Sequence, residues 1–230
     1  YTLSLHDALP ILGTLKNGEF VVYFQPKVNM VSSELVGAEA LARWIHPVDG
    51  IRPPAAFIPL FEKNGFISQL DLYMFEETCR IKSTWKGTKY EHIPISINMS
   101  RLHLYNQAYP DQLVEIAGRY QIPSNELELE VTESIFLKDS TELIRMINQL
   151  QDRGFMISID DFGSGFSALN LLKDLNANTI KLDREFLSDS SNSTRGKKII
   201  RNVIALCLDL KMDVVTEGIE TKDQIGRAHV

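Results

Sequence analysis

Short apolar runs rich in β-branched and aromatic residues alternate along the chain with longer segments of helical periodicity. In order, the runs are FVVYFQP, LVGAEALARW, IPISINMS, ELELEVTES, FMISIDDFG, TIKLD and DVVTEG. Nearly continuous apolar strands, separated by stretches long enough for a helix, are typical of a parallel sheet covered by helices. This many units in one domain favour a barrel over an open sheet, so the predicted fold class is α/β.

The intervening segments predict the helices. They are AAFIPLFEKNG, QLDLYMFEETCRIKSTW, YPDQLVEIAGRYQ, STELIRMINQLQDRG, SALNLLKDL and KKIIRNVIALCLDL. In the fourth, Ser140 is the predicted N-cap, Leu143, Ile147 and Leu150 form one apolar stripe, and Gly154 suits the position after the helix.

Polar side chains stand at the carboxyl ends of the predicted strands. They are Glu39, Asn98, Glu130, Asp160, Asp161, Lys181 and Glu217. In a barrel these ends meet at one mouth, and buried carboxylates gathered there are explained if they bind cations. Oxygen donors without His or Cys suit Mg²⁺ or Mn²⁺, and their number suits two ions that share a carboxylate. For any single residue, a salt bridge at the rim or a helix cap is the alternative.

Two basic residues lie on strand faces that point towards this mouth. Arg43 shares a face with Glu39 and can bind a phosphate with two nitrogens, or pair with a carboxylate at the rim. Lys181 can hold an activated hydroxide or a phosphoryl oxygen, or form a structural pair with Asp160 or Asp183.

The stretch after the two aspartates, FGSGF at 162–166, predicts a mobile loop, although it lacks the spacing of a P-loop. Glu133 is expected to hydrogen-bond this loop, with a carboxylate at a helix start as the alternative. We expect His46 to make hydrogen bonds in a loop, and His92 and His103 to be surface or structural residues.

Composition narrows the function classes. The 230 residues are 44% hydrophobic with a net charge of −6, which fits one globular domain and argues against a nucleic-acid polymer as the main partner. Cys79 and Cys207 lie in apolar helical contexts and are predicted to be reduced core residues. No apolar stretch approaches the roughly 20 residues of a membrane span.

Both ends of the chain differ from the rest. The terminal stretches resemble translated sequencing adapters, so residues 1–11 and 225–230 are expected to be non-native tails around a natural segment at 12–224.

Seven motifs together resemble the EAL-domain family of cyclic di-GMP phosphodiesterases. They are YFQPKV, GAEALARW, ISINMS, LELEVTES, ISIDDFGSGFSALNLLKDL, TIKLDREF and TEGIET, in the order of the family. The resemblance implies a modified TIM (β/α)₈-like barrel with one antiparallel strand. It also implies two Mg²⁺ or Mn²⁺ ions and hydrolysis of cyclic di-GMP to linear pGpG in bacterial signalling.

The resemblance also implies residue roles. Glu39, Asn98, Glu130 and Asp160 are expected to bind one metal, and Asp160, Asp161 and Glu217 the other. Lys181 is expected to contact the attacking water, so that Lys181, Glu217 and Glu39 form the catalytic set. Gln25, Leu41, Arg43 and Asp183 are expected to line the substrate site, Glu133 to brace the loop, and Glu220 to support the site from outside.

The family continues past TEGIET into a final strand and a QGY-like segment, which this chain is expected to lack. We expect a cytoplasmic domain fused to an upstream sensory or cyclase domain in the full gene, and leave homodimerisation and membrane anchoring of the full protein open. A cyclic di-GMP receptor that does not cleave, or a structural module with a vestigial site, is the alternative function.

Overall fold

The computed structural model describes residues 13–163, 172–173, 175–184, 186 and 194–217. These residues form two compact units. The first comprises residues 13–28 and 35–128, and the second comprises residues 29–34 together with the described residues from 129 onwards.

Strands and helices alternate as the sequence predicts. The strands are β1 (Phe20–Val28), β2 (Leu35–His46), β3 (Gly50–Arg52), β4 (Ile95–Asn98), β5 (Leu127–Thr132), β6 (Met156–Phe162), β7 (Thr179–Leu182) and β8 (Asp213–Thr216). The helices are α1 (Ile58–Asn64), α2 (Ile67–Ser83), α3 (Tyr109–Arg119), α4 (Glu133–Gln151) and α5 (Thr194–Asp209). Short 3₁₀ turns cover Pro54–Ala56, Arg101–Tyr105 and Ser124–Glu126.

The first unit contains the antiparallel strand that the family resemblance implies. Strand β1 pairs antiparallel with β2, β3 also pairs antiparallel with β2, and β4 pairs parallel with β2. The β1–β2 register places Gln25 opposite Glu39 and Tyr23 opposite Leu41. Because alternate side chains of a strand share a face, these four residues lie on one face of the pair.

The opposite face of β1 and β2 carries the core of the first unit. The rings of Phe20 and Trp44 stack with centroids 5.4 Å apart, and Phe57 and Phe61 pack around them. Trp44 is therefore a packing residue. Aromatic rings bury large apolar areas, so this cluster fixes the orientation of β2 and hence of its other face.

The second unit contains parallel strands. Strand β6 pairs parallel with β7, and β7 pairs parallel with β8. The predicted stripe of α4 is confirmed, since Leu143, Ile147 and Leu150 are all buried. Strand β7 is buried along its whole length, including Lys181.

Helix α4 begins earlier than the sequence predicts. It starts at Glu133, and a non-helical residue, Asp139 (φ −140°, ψ 41°), interrupts it directly before Ser140. The predicted N-cap therefore marks an internal break and not the helix start. Gly154 adopts φ +87°, three residues after the last helical residue, which is the left-handed backbone that favours glycine.

The two cysteines lie in the interior. Cys79 and Cys207 are buried free thiols, as predicted.

Within the described part of the chain, no helix has the length and apolarity needed to cross a bilayer. The predicted helix SALNLLKDL lies largely outside the described residues.

Candidate active site

Lys181 is the centre of a buried charge cluster in the second unit. Its Nζ lies 2.8 Å from Oε2 of Glu130, 2.8 Å from Oε1 of Glu217 and 3.2 Å from Oδ1 of Asp160. Lys181 and Glu130 are almost fully buried, whereas Glu217 is 38% exposed. A buried ammonium needs such partners, because leaving it unpaired in the interior is very costly.

The cluster holds more negative than positive charge. The pKa of Asp160 is raised from 3.8 to about 6: burial is the largest cause, Lys181 opposes the rise, and Glu130, Glu217 and Asp161 add to it. The pKa of Asp161 is also raised, first by burial and then by Asp183 and Glu217. One ammonium therefore does not balance the carboxylates around it.

The donor chemistry of the cluster fits hard divalent cations. Glu130, Asp160, Asp161 and Glu217 offer only oxygen atoms, and their surplus negative charge is what such an ion neutralises. Among the described residues, no three acidic, histidine or cysteine side chains form a ready-made metal cage. In the second unit the Lys181 ammonium lies between the carboxylates and contacts Glu130, Asp160 and Glu217.

The backbone conformation of Asp161 explains how the side chains of two adjacent aspartates can both interact with Lys181 and Glu217. Successive side chains of a strand normally point to opposite faces. Asp161, however, adopts φ +57°, and the β6–β7 register shifts between Ile159 and Phe162. The N–H of Asp161 also donates to Oδ1 of Asp160 at 2.9 Å. A left-handed backbone at a residue other than glycine costs about 1–2 kcal/mol, so the surrounding structure must enforce it.

The loop after the aspartates is held at its first glycine. The N–H of Gly163 donates to Oε2 of the buried Glu133 at 3.0 Å. Gly163 adopts φ +98°, and a Cβ atom there would lie 2.6 Å from the ring of Phe186. Both facts require glycine at this position. Ser164 and Gly165 lie outside the described residues.

Asp183 lies next to this loop start. Its N–H donates to the carbonyl oxygen of Phe162 at 3.2 Å, and its Oδ1 accepts from the N–H of Phe186 at 3.3 Å. Glu220, which is expected to support the site, lies outside the described residues.

The first unit holds the remaining predicted residues. Glu39 lies on β2 beside Ser96 of β4, and the Nδ2 of Asn98 donates to Oε1 of Glu39 at 3.3 Å. Gln25 and Leu41 share the face of Glu39 through the register of β1 and β2. The two predicted metal ligands of this unit are therefore in contact with each other.

Among the described residues, Arg43 forms no ion pair with a carboxylate at the rim, and its contact with a phosphate stays a prediction. Its Nη1 donates to the carbonyl oxygen of Ala42 at 2.8 Å, and its guanidinium lies 5.7 Å from the ring centroid of Tyr23. Tyr23 is 46% exposed. Sequence reasoning missed Tyr23, although its place two residues before Gln25 puts it on the same strand face.

The three histidines among the described residues differ in burial and in their hydrogen-bond partners. Nδ1 of His46 accepts from the N–H of Asp49 at 3.1 Å, which is the predicted loop hydrogen bond. His92 is exposed and lies 2.8 Å from Oε1 of Glu126. His103 is buried against Asp71, an acidic partner that sequence reasoning did not find.

Comparisons with known proteins place these residues in a family. The EAL domain family model matches residues 7–229. The chain is 35% identical over 211 residues to the oxygen sensor protein DosP of Escherichia coli, covering 91% of this chain and 26% of DosP. It is 34% identical over 220 residues to the bifunctional diguanylate cyclase/cyclic di-GMP phosphodiesterase MucR of Pseudomonas aeruginosa, covering 96% of this chain and 32% of MucR. The chain thus spans about a quarter to a third of the length of these curated relatives.

A solved structure shows the same fold. The PaMucR phosphodiesterase in complex with c-di-GMP matches with a TM-score of 0.87 at 34% identity, over 97% of this chain and 89% of that one. This match confirms the predicted fold class, an α/β fold of the TIM-like EAL type. From its motifs, its fold and its similarity to these proteins, we conclude that the chain belongs to the EAL domain family.

Proposed function

We propose that the chain hydrolyses cyclic di-GMP to linear pGpG with two divalent ions, Mg²⁺ or Mn²⁺. The observation that carries the proposal is the surplus of carboxylates around the buried Lys181 ammonium in a member of the EAL domain family. Divalent cations at this place would offset the negative charge that one ammonium leaves. The similarity to a phosphodiesterase solved with c-di-GMP supports the same substrate.

The proposed metal ligands follow the family resemblance. One ion takes Glu39, Asn98, Glu130 and Asp160, and the other takes Asp160, Asp161 and Glu217. When bound, such ions supply the positive charge that lowers the pKa of a water molecule and offsets the charge of a phosphate. The donor chemistry supports this set, since all the atoms it offers are oxygens.

The other roles in the proposal belong to side chains of the chain itself. Lys181 has three donor hydrogens and orients the attacking water, which displaces a ribose 3′ oxygen in line. Glu217, whose side chain is 38% exposed and lies 2.8 Å from Nζ of Lys181, orients the same water. Arg43 neutralises a phosphate of the dinucleotide.

The remaining residues shape the site. Gln25, Leu41 and Asp183 line the dinucleotide. Glu133 holds the start of the loop, a role that its hydrogen bond to Gly163 supports. Glu220 supports the site from outside the metal ligands.

We further propose that the chain is one cytoplasmic domain of a longer signalling protein. Its coverage of only 26% of DosP and 32% of MucR supports this organisation. An upstream sensory or cyclase domain fits those relatives.

The test is an assay of the purified chain with cyclic di-GMP, with products separated by chromatography. We expect pGpG in Mg²⁺ or Mn²⁺ and no turnover in Ca²⁺, whose looser coordination suits in-line attack poorly. Glu39→Ala should abolish turnover, whereas Glu62→Ala, which removes an exposed carboxylate on α1, should not change it. Tight binding without turnover would favour the receptor, and neither binding nor turnover would favour the structural module.

A further inference from the structure

A buried acid–histidine pair lies outside the proposed catalytic residues. Oδ2 of Asp71, on α2, lies 3.1 Å from Nε2 of His103, and His103 is only 1% exposed. Because a carboxylate has no proton to donate, Nε2 of His103 carries the hydrogen. The His103 ring stacks on the ring of Tyr109 with centroids 3.8 Å apart and an interplanar angle of 18°, so its orientation is fixed from a second side.

The same carboxylate oxygen holds the chain as it leaves β4. Oδ2 of Asp71 accepts the backbone N–H of Ser100 at 2.9 Å. Asp71 itself is anchored, because its neighbours Leu70 and Met74 on α2 belong to the aromatic core of the first unit. The pair therefore ties the backbone directly after β4 to a rigid helix.

Asn98, the last residue of β4, lies two residues before this anchor. Its side chain makes a long hydrogen bond, 3.3 Å from Nδ2 to Oε1 of Glu39, which by itself fixes the amide weakly. The position of the amide therefore depends on the backbone of residues 98–100. Asp71 is the side chain that fixes this backbone from the helix side.

We propose that Asp71, oriented by His103, is a positioning residue for the metal-binding amide of Asn98. The inference rests on the proposed function, because it assigns Asn98 the role of a metal ligand. Partners that orient a metal ligand from outside typically contribute 10–100-fold to metal affinity. Asp71 would act in this way through the backbone of Ser100.

The test is a double-mutant cycle read out as Mn²⁺ affinity, measured by calorimetry or by the spectroscopic signal of free Mn²⁺. We expect Asp71→Asn to raise the Mn²⁺ dissociation constant about 10-fold or more. In a chain that already carries Asn98→Ala, Asp71→Asn should raise the Mn²⁺ dissociation constant little further, because the amide that Asp71 positions is absent. Equal effects of Asp71→Asn with and without Asn98 would overturn the inference.

Two further variants separate positioning from general destabilisation. Ser100 adopts φ −75°, which proline also adopts, so Ser100→Pro removes the N–H that Asp71 accepts and should reproduce the loss of affinity. Thr78→Val on α2 changes a buried hydroxyl for which no hydrogen bond is found among the described residues, and should leave Mn²⁺ affinity unchanged. Unchanged affinity in either Asp71→Asn or Ser100→Pro would also overturn the inference.

The proposed function and this inference fail in different ways. If the unsubstituted chain binds Mn²⁺ and cleaves cyclic di-GMP but Asp71→Asn binds Mn²⁺ equally well, only the inference is wrong. If the unsubstituted chain binds no Mn²⁺, the proposed function is wrong and the inference falls with it.

Discussion

Nζ of Lys181 lies 2.8 Å from Oε1 of Glu217, although 2% of the first side chain and 38% of the second is exposed. The pair joins a buried ammonium to a carboxylate that water can reach. We therefore expect the two residues to act together on the attacking water.

Replacing Lys181 by methionine removes the ammonium but keeps most of the side-chain volume. Glu130, Asp160 and Glu217 then lose a shared partner. We expect kcat to fall by about 100-fold or more, and the unfolding free energy of the metal-free chain to fall by about 3–5 kcal/mol. Lys63→Met, at an exposed position of α1, is the control, and full kcat in Lys181→Met would contradict the proposed role.

The raised pKa of Asp160 predicts a pH dependence of the metal-free chain. Its pKa is about 6 in the folded chain against an ordinary value of 3.8, so between these values the folded state binds more protons than the unfolded state. The contribution of Asp160 to stability is thus fully present below about pH 4 and is lost as the pH rises through about 6.

Urea unfolding of the metal-free chain at several pH values between 4 and 7 measures this effect. The comparison with Asp160→Asn isolates the contribution of this carboxyl group from those of the other acids. We expect the stability of Asp160→Asn to fall less over this range than that of the unsubstituted chain. Parallel curves would show that Asp160 titrates at its ordinary pKa.

Gly163 predicts a specific steric conflict. Gly163→Ala would place a Cβ atom 2.6 Å from the Phe186 ring at a residue with φ +98°. We expect a loss of about 1–3 kcal/mol in the free energy of unfolding, together with reduced turnover. Phe186→Ala removes Cγ and Cδ2, the two atoms that the new Cβ would meet below 3 Å, so it should recover most of the steric part of this loss but not the part that comes from φ. Purely additive effects of the two substitutions would exclude the conflict with Phe186.

Tyr23 predicts an effect on substrate binding. Its ring lies 5.7 Å from the Arg43 guanidinium, and Arg43 is proposed to bind a phosphate. A cation–π contact at an exposed site contributes about 0.5–1 kcal/mol. Tyr23→Leu should therefore raise KM by about 2–5-fold with little change in kcat, and Tyr23→Phe should behave like the unsubstituted chain. A fall in kcat with unchanged KM would show that the ring serves a different purpose.

The sequence predicts strand order and polar strand ends well, because both depend on local patterns. The run that contains Glu130 and the run that contains Lys181 are each strands, and each brings its polar residue into the buried cluster of the second unit. What the sequence left open was the partner of Lys181. Of the two alternatives, Asp160 does contact the Lys181 ammonium at 3.2 Å, whereas the contact with Glu130 joins residues 51 positions apart, beyond the reach of spacing arguments.

Other features depend on contacts between distant residues. Asp71 and His103 are 32 positions apart, and only the place of a charged residue on the apolar side of α2 hinted at a buried partner. The left-handed backbone of Asp161 could not be predicted from two adjacent aspartates in the sequence, since Asp adopts this conformation only when its surroundings require it. The early start of α4 was missed because Ser140 is a good cap and its neighbour Asp139 does leave the helical conformation.

The buried ammonium of Lys181 also bears on how the protein can be handled. Since this internal counter-ion already offsets part of the carboxylate charge, the second unit does not depend on an added cation to assemble its interior. Purification in a chelating buffer should therefore yield a folded, dormant chain that regains activity as soon as divalent salt is supplied.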